Sequence, residues 1–168
     1  MQALIVVLRL LHILGGAVWV GAVVFTAFFL MPAIAAAGPG GGSVMREFGK
    51  AKIPQFMMSL MAVTVLSGLG LMGVIASRSD GTWFSSPMGR VISLGAALAI
   101  IASVYGAVVN RPTGMRMQQL GAEMGGGQPT PDQAAEMKVL QEKLSSASRL
   151  VAVMLLLAVA AMAVARYM

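Results

Sequence analysis

The sequence predicts an all-α membrane protein, a four-helix bundle whose third and fourth helices extend beyond the bilayer. Of its 168 residues, 58% are hydrophobic and 11% are charged, and a chain of this size cannot bury so much apolar surface in one water-soluble core. Four segments have the roughly 20 mostly apolar residues that a spanning helix needs. They are residues 3–31, 55–76, 90–109 and 149–165. We expect a single membrane domain over residues 1–168.

Glycine and proline residues mark the expected ends of these helices. The first helix is predicted to end near Pro32, and the glycine-rich segment 35–43 is predicted to be a flexible linker. Residues 77–87 form a short connection in which Trp83 suits the membrane surface. The Asn-Arg-Pro sequence at 110–112 is expected to kink or end the third helix as it leaves the membrane.

From Asp132 the chain is predicted to be helical again and to continue without a break into the fourth span. The ends of the third and fourth helices should therefore form a short antiparallel pair outside the bilayer. The loops on that side carry most of the basic residues: Arg46, Lys50, Lys52, Arg111, Arg116, Lys138, Lys143 and Arg149. The positive-inside rule then places the first and third loops in the cytoplasm and both termini outside. The net charge of +6 is explained by topology signals and lipid contacts, and nucleic acid is not an expected partner.

Nearly every polar group of the first span lies on one helix face. Residues three, four and seven positions apart share a face of an α-helix, and this spacing groups Arg9, His12, Gly15, Gly16 and Trp19. His12 is the single histidine of the chain. Lipid offers such a stripe no partners, so this face should point into the bundle or toward another subunit.

Two interpretations of the stripe are open. In the first, His12 hydrogen bonds to a neighbouring helix, Arg9 extends to the membrane surface, and the glycines only allow close packing. In the second, the stripe is a ligand site, because ionisable residues inside a membrane are functional candidates. Gly15 and Gly16 would then admit a flat ligand, Arg9 would neutralise its anionic group, and Trp19 would pack over it.

The chemistry of such a site is restricted by what the chain contains. One histidine cannot make a conventional zinc site, which needs three or four protein ligands, and cysteine is absent. Haem iron needs only one or two axial ligands, and its propionates suit Arg9. Copper(I) accepts imidazole and thioether ligands, and Met72 and Met162 lie near the level of His12 on other helices. We expect haem b or, alternatively, copper; a homodimer would bring a second His12 to a haem.

All six carboxylates fall outside the predicted spans: Glu47, Asp80, Glu123, Asp132, Glu136 and Glu142. The membrane segments therefore have no acid for a proton relay. Pairs of catalytic carboxylates and hydrolase triads within the bilayer are excluded for the same reason. The sequence does not favour an enzyme or a proton-driven carrier.

The motif His12-x6-Trp19-x-Gly21, followed by aromatic residues and Pro32, resembles the copper-resistance D (CopD)-like group of small bacterial membrane proteins. The resemblance covers most of the chain. It implies a four-helix bundle in the bacterial cytoplasmic (inner) membrane and a link with copper handling.

Two further resemblances involve the segment before the final span and, again, the first span. Asn110, Pro112-Thr113 and Glu123 before the final span are similar to the four-span proteins related to transmembrane protein 205. A more distant likeness is to the HemJ-type protoporphyrinogen oxidases, which also place a histidine before a Trp-Gly-type motif in the first span. That likeness implies His12 as a haem ligand. The later spans lack a basic residue to act with it, which argues against oxidase activity.

The leading expectation is a membrane protein that binds haem or copper through His12, in redox chemistry or metal homeostasis and with a redox partner that the sequence does not identify. One alternative is a transporter of copper or another small solute along a path lined by His12 and methionines. The other is a structural or assembly subunit without a ligand.

Overall fold

Four long helices account for most of the chain, and they confirm the predicted all-α fold. The computed structural model describes residues 2–125 and 127–168. Helices long and apolar enough to cross a membrane, here termed the first to fourth spans, cover Gln2–Ala36, Ile53–Ser77, Pro87–Glu123 and Pro131–Tyr167. No β-strand occurs in the described part of the chain.

The first half of the chain forms two spans joined by a short surface helix. The first span consists of α1 (Gln2–Phe25), a π-helical turn (Thr26–Leu30) and α2 (Met31–Ala36). Helix α3 (Pro39–Lys50) follows and leads to the second span, α4 (Ile53–Ser77). Amphipathic character suits α3 to the bilayer surface.

The second half of the chain forms the two other spans, without a helix between them in its described residues. The third span consists of α5 (Pro87–Tyr105), a second π-helical turn (Gly106–Asn110) and α6 (Arg111–Glu123). Helix α7 (Pro131–Val164) and a 3₁₀ turn (Ala165–Tyr167) form the fourth span.

Each π-helical turn ends two residues before a proline. The first ends at Leu30, before Pro32, and the second ends at Asn110, before Pro112. Proline lacks the N–H of a helical hydrogen bond, and its ring clashes with the carbonyl four residues earlier. The widened turn before each proline lets the helix continue. The prediction that the first helix ends near Pro32 is therefore wrong, and so is the predicted linker at 35–43, because α2 extends into this segment and α3 begins within it.

Each span packs against its neighbours in sequence, and the first span completes the ring against the fourth. The closest interfaces are those between α1 and α4 and between α5 and α7, whereas α4 and α5 make the loosest contact. Gly95 allows the close approach of α5 to α7, because a Cβ atom there would lie 3.0 Å from the carbonyl oxygen of Ala158. A buried core cluster of Trp19, Ala102, Val151 and Leu155 lies between the spans.

The third and fourth spans continue as the antiparallel pair that the sequence predicts. Helix α7 begins with a capping box between Thr130 and Gln133 and runs without interruption into its apolar segment. Arg116 on α6 donates from Nε and Nη2 to the Glu136 carboxylate at 2.7 and 3.0 Å, and from Nη1 to Glu123 at 3.3 Å. This paired arrangement joins α6 to α7.

Candidate functional site

A cavity of about 300 Å³ lies mainly between α1, α4 and α5, toward the end of the bundle that carries both termini. Its lining is mostly aliphatic. The side chains with polar, aromatic or sulfur-containing groups are Arg9, His12, Trp19, Thr64, Met72, Trp83 and Met162. The cavity therefore brings together residues from all four spans and from the short turn between α4 and α5.

His12 is half-buried, and its ring is held by the backbone of α4. Its Nδ1 lies 2.8 Å from the carbonyl oxygen of Thr64. A carbonyl oxygen only accepts hydrogen bonds, so Nδ1 donates its proton to Thr64, and in the tautomer that this bond selects Nε2 carries the lone pair. Nε2 makes no hydrogen bond within the described ranges of the chain. Its lone pair is therefore available to bind a metal ion.

Gly68 makes the Thr64 carbonyl accessible to the imidazole. A Cβ atom on Gly68 would lie 2.7 Å from Cε1 and 2.8 Å from Nδ1 of His12, closer than real atoms pack. The ring thus lies directly against the backbone of α4, one turn after Thr64. Gly68 therefore has a specific role in the site, which is to let the imidazole contact the backbone of α4.

Gly15 and Gly16 contact α4 and do not line the cavity. A Cβ atom on Gly15 would lie 2.9 Å from Thr64 Oγ1, and one on Gly16 would lie 3.3 Å from Thr64 Cγ2. These glycines bring α1 close to α4, as small residues do between membrane helices. The expectation that they admit a ligand is not supported by this geometry. They position the backbone that carries His12.

The two methionines predicted near the level of His12 both line the cavity, Met72 from α4 and Met162 from α7. Methionines of the other half of α4 lie elsewhere, since Met57 and Met61 pack against the core cluster. Helices rise by about 1.5 Å per residue, so methionines at opposite ends of α4 lie at different levels of the bundle. One imidazole and two thioethers, from three helices, therefore line the same cavity.

Arg9 lines the same cavity and is exposed. It has no salt bridge to any of the residues that the structure describes. Trp83 reaches the cavity from the turn at Thr82–Ser85. Tryptophan is enriched at the level of lipid headgroups, so Arg9 and Trp83 mark the membrane-surface end of the cavity, and Trp19 marks its inner end.

Sequence reasoning found Arg9, His12, Trp19 and the two methionines but missed Thr64 and Gly68. Every residue has a backbone carbonyl, so the sequence does not reveal which carbonyl accepts a hydrogen bond from His12. The one available signal was a glycine four residues after a threonine, Gly68 after Thr64, within one predicted span.

The described residues include no group of three or more His, Cys, Asp and Glu side chains that could hold a metal ion. A metal in the cavity would therefore need the thioethers. The chain was compared with family models, curated proteins and solved structures, and none of the three comparisons gave a match. The site is accordingly interpreted from its own residues.

Proposed function

We propose that this membrane protein binds a copper(I) ion in the cavity through Nε2 of His12 and the thioether sulfurs of Met72 and Met162. The proposal rests on the observation that these three side chains, from three helices, line one cavity. Soft thioethers with an imidazole are a ligand set that selects copper(I) over harder divalent ions. All three donors come from one chain, so the site is complete without a second copy.

The hydrogen bond from His12 to Thr64 supports this role. Histidines that bind metals commonly donate their second ring N–H to a carbonyl or carboxylate, which fixes the tautomer and orients the free nitrogen. His12 has this arrangement, with Nδ1 on the Thr64 carbonyl at 2.8 Å. The imidazole is thus preorganised as a ligand through Nε2.

The dimensions of the cavity favour copper(I) over haem. Small-molecule sites span roughly 300–1,000 Å³, and this cavity of about 300 Å³ lies at the lower end of that range. Arg9 would suit a propionate, but an ion needs only the three side chains and leaves the rest of the cavity free.

The core cluster favours binding over passage through the bundle. Trp19 lies at the inner end of the cavity and also belongs to the core cluster. Beyond it, Met57, Leu60 and Tyr105 pack against the same cluster and close the space between the spans. With the basic loops in the cytoplasm, copper would be held in the outer half of the membrane, in metal homeostasis and without catalysis.

Copper(I) titration of the detergent-purified protein against a coloured copper(I) chelator tests the proposal. We expect one copper per chain. Met72→Leu and Met162→Leu should each weaken binding by about tenfold or more, since even residues that only support a ligand affect affinity by 10–100-fold. Met115→Leu is the matched control, because Met115 is 51% exposed on α6 and lies outside the cavity.

Two results would contradict the copper proposal. One is a wild-type protein that removes no copper from the chelator. The other is a Soret band in the protein as purified, which would identify a haem protein instead. A protein with neither copper nor colour would fit the assembly-subunit alternative.

A further inference from the structure

The cavity opens sideways, toward the surface that faces lipid. Helices α4 and α5 supply most of its lining, yet their mutual contact is the loosest among neighbouring spans. Leu69 on α4 and Ile100 on α5 both line the cavity, and both also reach the outer surface, with exposed fractions of 44% and 37%. The gap between these two helices therefore connects the cavity with the hydrocarbon of the bilayer.

The chemistry of the walls suits a hydrocarbon chain. Apart from the site residues, the lining consists of aliphatic side chains such as Val65, Leu71, Ile92 and Ala96. A water molecule needs two to four polar partners, and apolar cavities that lack them stay dry. A lipid chain that enters from the bilayer gains dispersion contacts with these walls and loses no hydrogen bonds. The aliphatic part of the cavity is thus matched to an acyl chain.

The positive charge of Arg9 at the membrane-surface end of the cavity favours a lipid with an anionic headgroup. Arg9 lines the cavity, is exposed, and has no ion pair within residues 2–125 and 127–168. Arginine near the end of a membrane helix extends its guanidinium to the headgroup level, and Trp83 marks that level at the same end of the cavity. A phosphate at this height would be a suitable partner for the guanidinium.

We propose that the cavity is a binding site for an anionic phospholipid, with one acyl chain inserted between α4 and α5 and the phosphate at Arg9. The lipid fills the aliphatic part of the cavity and leaves the imidazole and thioethers to the ion. The proposal does not depend on copper, because it rests on the opening, the aliphatic walls and Arg9. It assigns Arg9 a role that the copper site leaves unexplained.

The two tryptophans of the chain, Trp19 and Trp83, both line the cavity, so intrinsic fluorescence reports on its contents. In a Trp83→Phe variant the signal comes from Trp19 alone, which is 5% exposed. The metal-free variant is placed in vesicles of phosphatidylglycerol or phosphatidylcholine whose acyl chains carry bromine, which quenches tryptophan on contact. We expect quenching of Trp19 and a preference of about fivefold for the anionic lipid, given the attraction between one arginine and an anionic membrane.

Four further variants, each also carrying Trp83→Phe, test the acyl chain, the headgroup and the copper site separately. Ala96→Phe narrows the cavity and should remove most of the quenching, whereas Ala97→Phe, an exposed neighbour outside the cavity, should leave it unchanged. Arg9→Gln should abolish the preference for phosphatidylglycerol. His12→Ala should retain the quenching, so failure of the copper site and failure of the lipid site are distinguishable. Equal quenching in the Ala96→Phe and Ala97→Phe variants, or no quenching of Trp19, would overturn the proposal.

Discussion

Replacement of His12 by alanine should weaken copper(I) binding by about a hundredfold or more, because loss of a supporting residue alone costs 10–100-fold in affinity. Nε2 of His12 is the single nitrogen ligand that the proposed site offers, and its loss leaves copper(I) with two of the three proposed ligands. The change is measured by competition with a coloured copper(I) chelator at several concentrations.

The control for this prediction is His12→Gln. Its amide can donate to the Thr64 carbonyl, as Nδ1 of the histidine does at 2.8 Å, but it offers copper(I) no imidazole. We expect the thermal stability of His12→Gln to exceed that of His12→Ala, and its copper affinity to be equally low. Full copper affinity in His12→Gln would assign His12 a packing role only.

Gly68→Ala should lower copper(I) affinity by about tenfold or more without removing any ligand, since outer residues that orient a ligand have effects of this size. The new Cβ atom would lie 2.7 Å from Cε1 of His12, so the ring must move away from α4. The hydrogen bond to Thr64 would then be lost, and Nε2 would no longer be held in one orientation. The same chelator competition measures this effect.

Gly73→Ala is the matched control on the same helix, because a Cβ atom at Gly73 would have no neighbour within 4 Å. Both substitutions replace glycine by alanine, so both increase intrinsic helix propensity by the same free energy, up to about 1 kcal/mol. A difference in copper affinity between them therefore reports on the imidazole. Equal affinities would show that the orientation of His12 does not matter for binding.

The fold was predictable because hydropathy alone identifies helices that span a membrane. The ends of the helices were less predictable, as Pro32 shows. A proline of this kind commonly ends a helix, but the π-helical turn before Pro32 accommodates its ring and its missing N–H, so the helix continues to Ala36. The sequence thus correctly predicted a disturbance of the helix at Pro32, but the prediction that the helix ends there was wrong.

The candidate site was predictable to the extent that it depends on helix periodicity and rise. Those two quantities group Arg9, His12 and Trp19 on one face and place Met72 and Met162 near their level. The role of Gly15 was not decidable in this way, because a flat ligand and a close helix both require a missing side chain. The partner helix and its register arise only from tertiary packing.

X-ray absorption at the copper edge tests most directly whether one imidazole and two thioethers bind copper(I). For the copper(I)-loaded protein, we expect one nitrogen and two sulfur neighbours of the ion. One of the sulfur neighbours should be missing in Met72→Leu and in Met162→Leu. A spectrum with only nitrogen or oxygen neighbours, or one that is the same in wild type and both variants, would contradict this expectation.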